Sequence, residues 1–295
     1  MWRRSLVLLG ALTSVAARSH TRGRAAPAPV TAPTAAPALA APAAGRTAIL
    51  PLGDSITFGC GSGKALPPQW SVNCDGSCPG YRIPLYHALK DTGFVDASGN
   101  ASFVMVGTQS AGPPDVPAEQ RMHEGHPGWT IPQIINIQKN WIPLNANFIL
   151  AHIGTNDCGQ GHPVAQMLSD MASLLAVIKT GNPSATTIVG SIINMSYNDT
   201  RACVVAYNAG LPGVVATAKA AGQSVLFADV NRRSGWCDSP ASPNWPCTGV
   251  HPTSGGYMGM ALAWWEVLAP LMPLPPTPLA PPSATLEQAV AAGAA

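Results

Sequence analysis

Residues 49–59 read "ILPLGDSITFG". The apolar run Ile49 to Leu52 breaks into Gly53-Asp54-Ser55-Ile56-Thr57. A short continuous apolar run with turn residues at its end is the pattern of a buried strand. On its own, Asp54-Ser55 reads as ordinary punctuation, a turn or a helix cap. The same serine at the tip of a strand is placed to attack a substrate. Which reading holds depends on what lies downstream.

Further apolar, β-rich runs follow at Ser102–Val106, Phe148–Ile153, Thr187–Ile193 and Val225–Val230, with Thr47–Leu52 as the first. Between them lie helical patterns near Ile83–Lys90, Gln133–Trp141, Val164–Lys179 and Ala202–Ala221, and a last one from Ser254 to Val267. Continuous apolar strands alternating with helices predict an α/β fold whose parallel sheet is covered on both faces. In such open sheets ligands bind outside the carboxyl ends of the strands. Ser55 sits just past one such end.

Three more segments fall where that rule points. "HEGHPGWT" (123–130) reads as the loop after strand two. "HIGTNDCG" (152–159) runs over the end of strand three, and "CTGVHPTSGGY" (247–257) follows strand five. Acyl transfer needs a hydroxyl nucleophile, a base and donors aimed at the developing oxyanion. Ser55 supplies the hydroxyl and His251 an imidazole suited to proton transfer near neutrality. The Ser55 and Gly128 backbone N–H groups and the Asn156 side-chain amide are the candidate oxyanion donors. Asp54 and Asp157 read as carboxylates that hold their turns.

These segments resemble the SGNH hydrolases, also called GDSL esterases and lipases. "GDSIT", "HPGWT", "GTND" and "VHPT" match the family's blocks one, two, three and five, in family order, across residues 50–257. The resemblance implies a three-layer α/β/α sandwich with a flavodoxin-like, five-stranded parallel sheet. It also implies Ser55 as nucleophile, His251 as base, and Ser55, Gly128 and Asn156 as the oxyanion hole. Within the superfamily the segments look most like carbohydrate esterase family 3, which removes acetyl groups from xylan.

One position departs from the pattern. The family usually carries Asp three residues before the histidine, and here that residue is Thr248. The triad Asp orients the imidazole and stabilises its protonated form. Without it, three outcomes are open. A Ser–His dyad operates with Thr248 or a backbone carbonyl orienting His251. Alternatively Asp238, the nearest upstream carboxylate, takes the role. Or the chain is a weak, carbohydrate-binding relative of an enzyme. The expectation is a secreted serine esterase acting on O-acetyl or other short acyl esters of plant polysaccharide such as xylan. A lipid or small-ester hydrolase is the alternative within the same class.

Trp129, Trp236 and Trp245 lie in or near the site loops. Their faces suit sugar rings, and plain packing is the other reading. His123, His126 and His152 do not have the spacing of two histidines four apart on a metalloprotease helix. No metal and no cofactor is therefore expected.

The chain has 295 residues, is 46% hydrophobic and 10% charged, and carries a formal net charge of +2. That is enough apolar material for a sizeable core. No basic block suited to nucleic acid is present; Arg18 to Arg24 is a lone cluster. "MWRRSLVLLGALTSVAA" (1–17) has the basic start, short apolar stretch and small-residue end of a secretion signal. An uncleaved anchor is the plainer reading of the same stretch. No run reaches the roughly 18 apolar residues of a membrane span. Residues 18–45 read as an Ala/Pro-rich linker, 46–268 as the hydrolase domain and 269–295 as a Pro/Ala-rich disordered tail. The expected partner is an acetylated polysaccharide or small ester, with no nucleic acid or membrane partner, and a monomeric chain.

The seven cysteines fit an oxidising compartment, with local bridges guessed at Cys74–Cys78 and Cys237–Cys247. Asn100, Asn194 and Asn198 begin glycosylation sequons.

Overall fold

The computed structural model describes residues 45–60, 79–194, 198–234 and 250–273. Among the described residues there are seven strands: β1 (Thr47–Asp54), β2 (Phe103–Met105), β3 (Gln109–Ser110), β4 (Met122–His126), β5 (Phe148–His152), β6 (Thr186–Gly190) and β7 (Val225–Ala228). They join one sheet in the order β3-β4-β1-β5-β6-β7, with β2 also paired to β1. All pairings are parallel except β3 with β4.

The seven strands reduce to the expected five parallel columns. β2 pairs with the start of β1, at Thr47 to Ile49, and β4 pairs with its end, at Leu52 to Asp54. Both occupy the same side of β1 in succession. β3 adds a two-residue antiparallel edge.

The expectation of a loop at 123–130 is corrected at its first half, because His123 to His126 lie in β4. The segment has no apolar alternation to announce a strand. Most of its buried polar atoms find partners instead: Glu124 accepts from the Thr108 backbone and hydroxyl at 2.8 to 2.9 Å, and His123 Nδ1 accepts from Gly125 N–H at 3.0 Å, while His123 Nε2 is buried without one among the described residues. A polar strand at a sheet interior is stable only when so satisfied.

Alternation along β1 and β5 makes two cores. Ile49, Phe148 and Leu150 face one side, where α2 (Arg82–Leu89) and α9 (Ser254–Leu268) cover them with Leu85, Met260 and Trp264. Leu50, Leu52 and Ile149 face the other. There α3 (Ile131–Asn136), α6 (Val164–Gly181) and α7 (Asn198–Ala220) supply Ile134, Leu174 and Leu211. A side chain as completely buried as Leu50 contributes about 1.5–3 kcal/mol. The sandwich is thus helices, sheet, helices. Short helices complete it: α1 (Ser55–Phe58), α4 (Gln138–Trp141), α5 (Thr155–Gly159) and α8 (Val230–Ser234).

A 3-10 turn at Ala269–Leu271 follows α9 and keeps Ala269 and Met272 buried. A disulfide joins Cys158 of α5 to Cys203 of α7, with Cα atoms 5.6 Å apart. The guessed local bridges lie outside the described residues. Of the sequons, Asn100 is exposed and Asn194 is buried. Among the described residues no helix is long and apolar enough to cross a membrane.

Candidate active site

The strand-to-helix turn at Ser55 is built from its neighbours' lack of side chains. Gly53 pairs with Gly125 on one side and His152 on the other. A Cβ on Gly53 would sit 2.1 Å from the His152 carbonyl oxygen, and one on Gly125 only 2.3 Å from the Phe58 nitrogen. These two glycines let α1 fold directly back over the ends of β1 and β4. Asp54 then caps α1, its Oδ1 accepting from Ile56 N–H at 2.9 Å. Gly59 ends the helix in the left-handed region at φ +106°.

This one-turn helix places Ser55 at its first position. A helix's first N–H groups have no carbonyl acceptor within the helix, so the Ser55 amide is available to an incoming oxygen. His251 arrives from the opposite end of the chain, just before the Thr253 cap of α9, whose hydroxyl accepts from Gly256 N–H at 3.3 Å. Ser55 Oγ and His251 Nε2 lie 2.9 Å apart across 196 residues of sequence. Burial holds the His251 pKa below its ordinary 6.5, so the imidazole is neutral at neutral pH and able to accept a proton.

Asn156 lies in the first turn of α5, past the end of β5. Its Nδ2 donates to the Trp129 carbonyl at 2.9 Å, which binds α5 to the loop that carries Gly128. Each amide nitrogen has two hydrogens, so one donor remains. Gly128 is exposed at φ +83°, and a Cβ there would meet nothing within 4 Å. Glycine is needed here for the positive φ, not for room. Asp157, in the same turn of α5, ties it to the start of α3. It accepts from Ile131 N–H at 3.2 Å and lies 3.4 Å from His162 Nδ1.

The site floor is rich in buried ionisable groups. Burial pushes the Asp54 carboxyl up to about 7 against the Ile56 hydrogen bond, and repulsion from Asp157 adds to the rise. His152 is pushed down to about 4 by burial. His123 is held well below 6.5 for the same reason. Among the described residues no three His, Cys, Asp or Glu side chains group as a metal site.

The structure therefore brings Ser55 and His251 together and ties Asn156 to the Gly128–Trp129 loop. Asp238, Thr248, Trp236 and Trp245 lie outside the described residues. Sequence reasoning missed the Glu124–His126 pair, with Oε1 and Nε2 2.7 Å apart, and the His126–Trp129 ring stack. The alternating H-E-G-H pattern was the available signal, since i and i+2 share a face in a strand. It also missed the Cys158–Cys203 bridge two residues from Asn156, which spacing cannot reveal.

Residues 52–258 match the model of the GDSL-like Lipase/Acylhydrolase family. No curated protein is a significant match. Among solved structures, a family 3 carbohydrate esterase of Clostridium thermocellum is similar at 28% identity and a TM-score of 0.56, over 77% of this chain and 96% of that one. A family 3 carbohydrate esterase from Talaromyces cellulolyticus shares the fold at 24% identity and a TM-score of 0.60, over 76% and 97%. An acetylxylan esterase from Geobacillus stearothermophilus shares it at 17% identity and a TM-score of 0.50, over 75% and 93%.

Proposed function

Because the chain belongs to the GDSL-like lipase/acylhydrolase family and is a carboxylic ester hydrolase, we propose that it is a secreted serine esterase removing acetyl groups from plant polysaccharide such as xylan. The observation that carries the mechanism is the 2.9 Å approach of Ser55 Oγ to His251 Nε2 at the carboxyl ends of the strands. The substrate class rests on the likeness to the Clostridium thermocellum carbohydrate esterase. Secretion rests on the signal-like residues 1–17 and on a disulfide of the kind that persists in oxidising compartments.

In this mechanism Ser55 Oγ attacks the acetyl carbonyl while His251 Nε2 takes its proton. The tetrahedral oxyanion accepts from Ser55 N–H, Gly128 N–H and Asn156 Nδ2–H. The C–O bond to the sugar then breaks, and His251 returns the proton to the departing alkoxide. Water, deprotonated by the same imidazole, attacks the acetyl-enzyme and releases acetate and free Ser55. Asp238 is the candidate for orienting His251, with the Ser–His dyad as the form the mechanism takes without it.

The test is hydrolysis of an aryl acetate by the purified chain beside Ser55→Ala. The wild type is expected to turn over and the folded variant to lose at least about 10³-fold in kcat. If neither turns over while both are folded, the esterase mechanism is wrong for this chain and polysaccharide binding without hydrolysis takes its place.

A further inference from the structure

The end of β4 carries a device that the acyl-transfer steps do not use. Glu124 is completely buried, and its Oε2 accepts from Thr108 N–H at 2.8 Å. The Thr108 hydroxyl donates to the same carboxylate, and Oε1 lies 2.7 Å from His126 Nε2. A carboxylate at such depth is costly unless its partners repay the lost water. What this arrangement secures is the orientation of one imidazole. The His126 ring lies against the Trp129 indole with centroids 4.1 Å apart and planes 16° from parallel.

Trp129 is held at two further points. Its N–H donates to the His126 carbonyl at 3.2 Å, which folds the turn so that the two rings meet. Its own carbonyl accepts from Asn156 Nδ2 at 2.9 Å. The indole is half-buried, and His126 covers one of its faces. The side chain also packs against the core on the side of α3, α6 and α7, and the part that stays exposed is the surface open to a substrate. The assembly is anchored beside the nucleophile, because His126 pairs in register with Asp54, the residue before Ser55.

We propose that His126, braced by Glu124, is a positioning residue that holds the Trp129 indole as a stacking platform for the pyranose ring of the ester's leaving group. The axial C–H groups of a sugar ring present an apolar face that an indole fits, and a ring fixed in advance loses less freedom on binding. Trp129 is one residue from Gly128 and its main-chain carbonyl is bound by Asn156, so the residue that carries the platform borders the proposed oxyanion hole. This inference rests on ester hydrolysis at Ser55.

The test compares kcat/KM for an acetylated xylo-oligosaccharide with that for ethyl acetate, which has no ring to stack. The variants are Trp129→Ala, Trp129→Phe, His126→Gln and the His126→Gln/Trp129→Ala double. Glutamine keeps a donor for Glu124 but removes the stacked ring, so the fold is preserved while the brace is lost. Trp129→Ala and His126→Gln should each lower the oligosaccharide-to-ethyl-acetate ratio by about tenfold, mainly through KM of the oligosaccharide. Trp129→Phe should keep most of the ratio. The double variant should be no worse than Trp129→Ala, because the two residues act as one unit. An unchanged ratio overturns the platform, as does a multiplied loss in the double variant or equal loss on both substrates. A wild type that hydrolyses only ethyl acetate also overturns it while leaving the esterase mechanism standing. A folded wild type that hydrolyses neither ester removes both.

Discussion

At the scale of single residues, the proposed mechanism turns on the protonation of His251. The imidazole must be neutral to accept the Ser55 proton, and burial favours the neutral form. Activity should therefore rise with pH and level off, and the midpoint of kcat/KM should lie below 6.5. A carboxylate against the ring would have the opposite effect, since a nearby negative charge favours the imidazolium. A pH–rate profile on an aryl acetate distinguishes the two. A midpoint clearly above 6.5 would contradict the burial-dominated environment and implicate an acid such as Asp238.

Among the elements, the joint between β1, β4 and α1 cannot accept added bulk. Gly125 lies where a Cβ would press on the backbone of Phe58, which cannot rotate away as a side chain would. Gly125→Ala should cost about 2 kcal/mol as overpacking, a drop of about 4–8 °C in Tm, and should lower turnover by displacing α1. Gly213→Ala in α7 is the matched control, because nothing lies within 4 Å of its Cβ. Helix propensity alone should then raise stability by about 0.5–1 kcal/mol. Thermal denaturation of the two variants checks both signs, and equal shifts would contradict the close-approach argument. The Cys158–Cys203 bridge works at the same scale, tying the short helix that carries Asn156 to the long α7.

Across the whole molecule, buried ionisable groups pull the pH dependence of stability in opposite directions. Asp54 has its carboxyl raised from 3.8 to about 7, so between those values the native state keeps a proton that the unfolded chain releases. Stability due to this group falls as pH rises through that window. His152, lowered to about 4, and His123, held well below 6.5, stay neutral in the native state while the unfolded chain binds protons below 6.5. Their contribution rises with pH up to that value. Asp54→Asn keeps an acceptor for Ile56 N–H and removes the falling component alone. Relative to wild type, its unfolding free energy should gain up to about 1.4 kcal/mol per pH unit between about pH 4 and 7. Urea unfolding at several pH values measures this, and parallel curves for the two proteins would show that Asp54 does not titrate as its burial dictates.

The legibility of the fold follows from which signals are local. β1, β5 and the long helices announce themselves because their burial is written as apolar periodicity. β4 does not, because it is buried through Glu124, His123 and their hydrogen-bond partners, and partners such as Thr108 have no sequence signature. The candidate site residues Ser55, Gly128, Asn156 and His251 stand out in the sequence as four short segments at expected strand ends, since the parallel topology dictates where ligands bind.

By itself, the sequence determined the α/β architecture, the turn that presents Ser55 and the family. These rest on composition, periodicity and residues adjacent along the chain. Only the tertiary structure decided that His251 meets Ser55, that Asn156 is bound to the Trp129 carbonyl, that Cys158 pairs with Cys203, and that His126 stacks on Trp129 while Glu124 braces it. Most of these contacts join distant segments, and all depend on side-chain directions set by packing, which residue order does not encode locally.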